Sequence, residues 1–330
     1  MDYIPFVSII VPNFNHEKYL MARLDSIFNQ SYPYFEVILL DDCSSDNSKE
    51  VLSQYSKKEK VSHCIYNESN SGNTFKQWAK GINLAKGDLI WIAETDDYCN
   101  HNFLEKLIKP FQKDSEVVLA YSQSNKVNHL GKKTGNWIDH TRGYLDSNIF
   151  EEDFTVEGNE FIEKFLIHKN VIPNASAVVF KREAVQVCDH FDINPDFKYC
   201  GDWMFYCKLI INKKVSFVAE SLNNFRYHSD SVIARAIQTE KRIAIIEIDY
   251  KMRKILIKYL SKNKVKNLKK IKAINNFIKR NFLTYEKAFL LVRSGNKIKG
   301  YLLLLTVMDI FFTKYKIRKN LIIKAKRLFT

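Results

Sequence analysis

Glu94, Asp96 and Asp97 stand directly after the apolar run Leu89-Ile90-Trp91-Ile92-Ala93. Such a run reads as a buried strand, and the C-terminal ends of strands are where open α/β sheets bind their ligands. Three carboxylates at one strand tip repel one another unless a counter-charge joins them. A hard divalent cation, Mg²⁺ or Mn²⁺, is the expected partner, held by one or two carboxylates and completed by a substrate's phosphates. The competing reading is a solvated acidic turn, since Asp favours turns.

Two more apolar runs end in polar residues. Phe35 to Leu40 leads into Asp41-Asp42-Cys43-Ser44-Ser45-Asp46-Asn47-Ser48. Asp46 or Ser45 is placed to cap a following helix, which explains part of that segment but not both Asp41 and Asp42. A carboxylate at such a tip can accept hydrogen bonds from a base N–H or from ribose hydroxyls. Val7 to Pro12 leads into the polar turn Asn13-Phe14-Asn15-His16.

In series, Val7-Ser8-Ile9-Ile10-Val11-Pro12-Asn13-Phe14-Asn15, Asp41-Asp42-x-Ser44-x-Asp46, Asn70-x-Gly72 and Gly87-Asp88 leading to Glu94-x-Asp96-Asp97 resemble the nucleotide-sugar domain of family 2 glycosyltransferases of the GT-A fold. The likeness is strong over about residues 5–125 and looser to about residue 230. It implies an α/β fold with a Rossmann-like mixed sheet flanked by helices. It also implies a nucleotide-sugar donor, a UDP-sugar first among them, a divalent cation (Mn²⁺ or Mg²⁺), and inverting transfer to a glycan or lipid-linked acceptor in surface polysaccharide or glycoconjugate synthesis.

The resemblance assigns roles position by position. Pro12, Asn13 and Asn15 line the nucleotide pocket, with Asp41 or Asp42 on the base; the choice between those two stays open. Asp96 and Asp97 are placed against ribose, metal and diphosphate, and Glu94 against ribose or metal. Glu94 departs from the family's usual Asp, keeping the charge on a longer arm. Gln77-Trp78-Ala79-Lys80-Gly81 departs from the Ala-Arg-Asn run of many relatives; either Lys80 or Lys76 takes the place of that Arg near the diphosphate, or this subgroup does without it. Asp202, in Gly201-Asp202-Trp203, matches the family's general base, although an Asp at a helix start also reads as an N-cap. Trp203 is expected beside the acceptor or buttressing that base, against a plain core role. His228 is expected as a third metal ligand or diphosphate contact, against a purely structural role. Asn174 or Ser176 is expected at the mouth of the acceptor site, against the reading that this segment simply opens a strand.

That chemistry sets three tasks. A base removes the acceptor's hydroxyl proton, the leaving diphosphate is stabilised through an oxocarbenium-like transition state, and water is excluded. A carboxylate base contributes roughly 10²–10⁴-fold.

The positioning elements follow from the rest of the chain. Its 330 residues, 46% hydrophobic, exceed one ordinary domain. Residues 1–234 carry 25 Lys+Arg against 32 Asp+Glu, whereas 235–330 carry 26 against 5. The expected division is a transferase domain over 1–234, with 1–125 binding the nucleotide sugar and 126–234 supplying acceptor contacts and base. A basic α-helical C-terminal region follows over 235–330. The six cysteines form no C-x-x-C pair and the start lacks a signal-peptide pattern, so a cytoplasmic location is expected.

In the basic region, Gly300 to Phe312 is strongly apolar, contains Asp309, and is flanked by Lys299, Lys314, Lys316, Arg318 and Lys319. It is shorter than the ~20 residues that span a bilayer. Peripheral association with the anionic inner face of the cell membrane is the preferred reading, at about 1 kcal/mol per basic residue near the surface. A self-contained helical bundle is the competing reading, and nucleic-acid binding is not expected. Two alternatives concern the whole chain. A nucleotidyltransferase would need a Gly-rich basic loop that Asn13-Phe14-Asn15 lacks; a non-catalytic sugar-nucleotide or glycan-binding module would not need intact Asp96, Asp97 and Asp202.

Overall fold

The computed structural model describes residues 3–142, 148–187, 197, 199–228 and 239–314. The chain divides into two compact units, residues 1–229 and 230–330. In the first, ten strands form one mixed sheet in the order β3-β2-β1-β4-β9-β6-β10-β5, with β7 on β6 and β8 on β10. The strands are β1 (Val7–Asn13), β2 (Phe35–Asp41), β3 (Val61–Tyr66), β4 (Leu89–Ile92), β5 (Tyr98–Cys99), β6 (Val117–Val127), β7 (Lys133–Asn136), β8 (Phe154–Glu157), β9 (Val178–Lys181) and β10 (Lys214–Arg226). The helices are α1 (Glu17–Phe28), α2 (Ser48–Tyr55), α3 (Thr74–Leu84), α4 (Phe103–Lys113), α5 (Ile138–Thr141), α6 (Gly158–Phe161), α7 (Arg182–Val187) and α8 (Gly201–Leu209).

Every residue of β1, β2 and β4 is buried. These central strands are covered on both faces, so their sequences are continuous apolar runs rather than alternating ones. They are parallel, which brings their C-terminal tips to one edge. Asn13 pairs with Asp41, and Ile10 with Ile92, so the Asn13 turn, the Asp41–Asp42 turn and the Glu94–Asp97 turn lie side by side.

Pro12 is tolerated inside β1 for a local reason. The Ile10 carbonyl is the last on that side to meet β4, accepting from Ala93 N–H at 2.8 Å. Pro12, two residues on, faces the space beyond the end of β4, where no ladder hydrogen bond is lost. Asp46 then organises two helix starts. Its carboxylate accepts from Glu17 N–H at 2.9 Å, opening α1, and from Ser48 N–H at 3.1 Å, opening α2.

The second unit is helical over its described residues: Thr239–Lys262, Leu268–Ile278, Tyr285–Arg293, Lys297–Leu305 and Met308–Lys314, with a π-helical turn at Lys279–Thr284. Ile246, Met252, Leu256, Leu260, Ile271, Ile278, Leu283, Ala288 and Val307 are buried. Arg242 and Glu286 form a two-pronged ion pair at 2.6 and 2.9 Å. The apolar run 300–312 is divided between two short helices, and among the described residues no helix is long and apolar enough to cross a membrane. Lys316, Arg318 and Lys319 lie outside the described residues.

Candidate functional site

Three segments far apart in sequence meet at the strand tips. Asn15 has φ 54°, a left-handed conformation that Asn tolerates. This bend ends β1 and delivers His16 to the start of α1, where its Nδ1 lies 2.7 Å from Thr95 Oγ1. Asp96 Oδ2 lies 3.1 Å from His228 Nε2. His16, Asp96 and His228 offer ligand atoms that all lie within 4.8 Å of one another. The two imidazoles stand edge to face at 6.0 Å, with Tyr19 5.4 Å from His228. His228 Nδ1 is buried and has no hydrogen-bond partner among the described residues.

The protonation states suit ligation. Burial lowers the His16 pKa, an effect only partly opposed by Asp96, and so favours the neutral imidazole that a metal needs. Burial pushes Asp96 upward, but the hydrogen bond from His228, together with the positive charge the His16 and His228 rings carry when protonated, outweighs it and holds the carboxyl below its ordinary value. Its neighbours behave differently. Glu94 is raised to about 8 and Asp97 to about 7, by burial first and then by the charge of Asp96.

Glu94 and Asp97 are turned toward supporting groups. Glu94 Oε1 accepts from the Trp78 indole at 2.7 Å. Asp97 is 1% exposed and sits 3.9 Å from the guanidinium of Arg23. It also accepts from Arg226 N–H at 2.9 Å and from the Asn174 amide. Asp97 is therefore engaged with Arg23, Arg226 and Asn174 and is not one of the His16–Asp96–His228 group. Arg23, wholly buried in α1, ties the layers together: Nε donates to the Glu94 carbonyl and Nη2 to Ser176 Oγ, each at 2.8 Å. The Arg226 guanidinium donates to the carbonyls of Asp96, Asn128 and His129. It is thus bound to backbone, fixing the Asp96 turn against the 128–129 turn.

At the tips of β1 and β2, Asn13 Nδ2 donates to Asp41 Oδ1 at 2.8 Å, and Ser44 closes on the same carboxylate through N–H and hydroxyl. Asp42 is held by Asn67, Ser71 and Gln77. Asn15 Oδ1 accepts from Ser45 N–H at 2.8 Å, and Lys80 Nζ donates to Asn67 Oδ1 at 2.6 Å. Each aspartate is thus fixed by its own side-chain network, Asp41 by Asn13 and Ser44 and Asp42 by Asn67, Ser71 and Gln77.

Asp202 lies in the first turn of α8, with Asn170 Nδ2 3.3 Å from its Oδ2. Burial raises its carboxyl to about 6. Trp203 donates its indole N–H to the Leu166 carbonyl at 2.8 Å, which locks the ring beside Asp202. Asn174 is half-buried, bridging Asp97 and Asn223. Ser176 requires a correction: it is fully buried and does not open at the acceptor mouth, because its hydroxyl accepts from Arg23 and its carbonyl from the Trp91 indole. Sequence reading passed over His16, Arg23, Trp78 and Asn170. Only His16 carried a signal, being the last member of a polar turn at a strand tip.

An open α/β sheet that gathers carboxylates and imidazoles beside a polar cradle at its parallel strand tips is the architecture of a GT-A transferase. Residues 8–171 match the model of glycosyl transferase family 2, and the chain belongs to that family. TuaG of Bacillus subtilis is 34% identical over 108 residues, which cover 33% of this chain and 42% of TuaG. The chain thus matches less than half of that relative's length. TarS 1–349 of Staphylococcus aureus, solved in complex with UDP-GlcNAc, aligns with a TM-score of 0.59 at 18% identity, covering 90% of this chain and 89% of that one. The mannosyltransferase PcManGT from Pyrobaculum calidifontis, solved with GDP-Man and Mn²⁺, aligns with a TM-score of 0.56 at 15% identity, covering 93% and 81%. At these identities the two solved structures establish likeness of fold.

Proposed function

We propose that this glycosyltransferase moves a sugar, with inversion, from a nucleoside-diphosphate donor, UDP-linked first, to a hydroxyl of a glycan or lipid-linked acceptor in building a surface polysaccharide or glycoconjugate. The observation that carries the reading is the convergence of His16, Asp96 and His228 at the tips of the parallel strands. Two imidazoles and one carboxylate, with no lysine or arginine side chain among the three, fit a divalent cation. Such a donor set suits Mn²⁺ better than Mg²⁺, which prefers oxygen ligands. When bound, the cation supplies Lewis-acid stabilisation of the departing diphosphate.

The chain's own groups do the rest. The Asn13–Asp41 and Asp42–Asn67 networks present a preformed cradle for base and ribose, and Lys80 stands beside it for the diphosphate. Asp202, raised to about 6 by burial, is ionised near neutral pH yet basic enough to take the acceptor's proton. Arg23 and Arg226 keep the acidic turn in place without touching substrate. The basic residues 235–330 are assigned to the anionic, cytoplasmic face of the membrane, where a lipid-linked acceptor would be presented.

The test is release of nucleoside diphosphate from a panel of nucleotide sugars with Mn²⁺ or Mg²⁺. Release from one donor that depends on Mn²⁺ and is lost in Asp96→Ala is expected. Absence of both release and cation-dependent donor binding would overturn the transferase reading in favour of a non-catalytic binding module.

A further inference from the structure

The helix Lys297–Leu305 has two unlike faces. Gly300 is buried against the preceding helix; a Cβ there would come within 2.5 Å of Val292 Cγ2. On the other side, Ile298, Tyr301, Leu302 and Leu305 recur at the i, i+3, i+4, i+7 spacing of one helical stripe. They are 78%, 54%, 60% and 60% exposed, and Met308 continues them at 41%. A contiguous apolar stripe of this kind marks a contact surface.

Charge says what the contact is. Lys297 and Lys299 flank Ile298, Arg293 precedes them, and all three are exposed. Asp309, the only acid in 287–330, is paired with Arg280 at 3.1 Å. A second copy of this chain would bring like-charged rows together. The remaining C-terminal segment, with Lys316, Arg318, Lys319, Lys324, Lys326 and Arg327, adds further positive charge to the sequence of this region. An anionic lipid surface satisfies both the stripe and its cationic border.

We infer that the 297–305 helix is an interfacial anchor, lying parallel to the plane of an anionic bilayer with Ile298, Tyr301, Leu302 and Leu305 in the headgroup–acyl boundary. Lys297, Lys299 and Arg293 meet headgroup phosphates. At nine residues the helix is too short to span, so it lies on the surface. The inference rests on the membrane assignment proposed above and gives it an element and a lipid class.

The experiment is cosedimentation of the full chain with phosphatidylglycerol–phosphatidylcholine vesicles and with pure phosphatidylcholine vesicles. Wild type is expected to bind the anionic vesicles at least tenfold tighter. Leu302→Glu/Leu305→Glu is expected to lose tenfold or more while its thermal melt by circular dichroism stays native; Leu302→Asn, a milder change, is expected to fall between. Wild type that ignores anionic vesicles would overturn the membrane assignment and the anchor together. Anionic binding unchanged in both stripe variants would overturn the anchor alone, leaving diffuse attraction by lysines. A lipid-free dimer in sedimentation velocity that dissociates in the stripe variants would assign the face to a second copy and also overturn the anchor. Donor hydrolysis needs no lipid, so its failure is a separate result.

Discussion

Asp202 carries opposite demands of stability and chemistry, and they can be separated. Its folded carboxyl titrates at about 6, above the ordinary Asp value. In the proposed role, kcat/KM rises with pH through about 6 and levels off above it, as a base that must be ionised requires. The stability sign is the reverse. Below the unfolded pKa both states are protonated and nothing is lost; as pH rises through 6, ionisation in a partly buried site destabilises the fold. Asp202→Asn should therefore lower kcat by roughly 10²–10⁴-fold. Urea denaturation should show a gain on the order of 1–2 kcal/mol at pH 7.5, discounted for the group's partial solvent access, that disappears by pH 4. The His16–Asp96–His228 cluster gives a second measurement. Mn²⁺ in hundredfold excess over its Kd should stabilise the protein by about 2.7 kcal/mol in thermal denaturation, an increment absent from Asp96→Asn and reached only at higher Mn²⁺ in His16→Ala. At this scale sequence was a partial guide. Asp96 announced itself by following an apolar strand, whereas His16 has meaning only through its meeting with Thr95 and His228, which no spacing encodes.

Among the elements, the central strands were legible because burial on both faces leaves an unbroken apolar signature at β1, β2 and β4. Two-residue β5 and half-exposed β8 have no such signature, and β10 departs from simple register with β6 in several places. The supports of the site were illegible for a related reason. Arg23 occurs in a helix whose other buried residues are apolar or aromatic, and a buried arginine there is visible only once Glu94, Asp97 and Ser176 close around it. Removing it leaves the buried Asp97 carboxylate without its cation. Arg23→Leu should cost about 3–5 kcal/mol in urea denaturation, with loss of Mn²⁺ binding as the Glu94–Asp97 turn relaxes. Gly158 tests a different junction. It opens α6 where that turn abuts the end of α8, and a Cβ there would meet the Ile210 carbonyl oxygen. Gly158→Ala should lower stability by about 2–4 kcal/mol, since the obstacle is backbone and cannot rotate away.

For the molecule as a whole, the division of charge makes the kind of partner measurable through salt. The first 234 residues hold an excess of acid, while the last 96 hold 26 Lys+Arg against 5 Asp+Glu. Lysine fields alone attract any polyanion, and that attraction fades as the Debye length shrinks to about 3 Å at 1 M salt. Binding to duplex DNA through such a field should fall steeply and linearly in log–log form with salt, because it consists of counterion release. A partner that also buries Ile298, Tyr301, Leu302 and Leu305 adds a term that salt does not screen, since apolar transfer is non-electrostatic. Titrating NaCl from 0.05 to about 0.5 M against both ligands should therefore abolish DNA binding but leave a residual affinity for phosphatidylglycerol vesicles, and that residue should vanish in Leu302→Glu/Leu305→Glu. Parallel salt slopes for DNA and vesicles would mean that the exposed stripe contributes nothing and that this region reads charge alone.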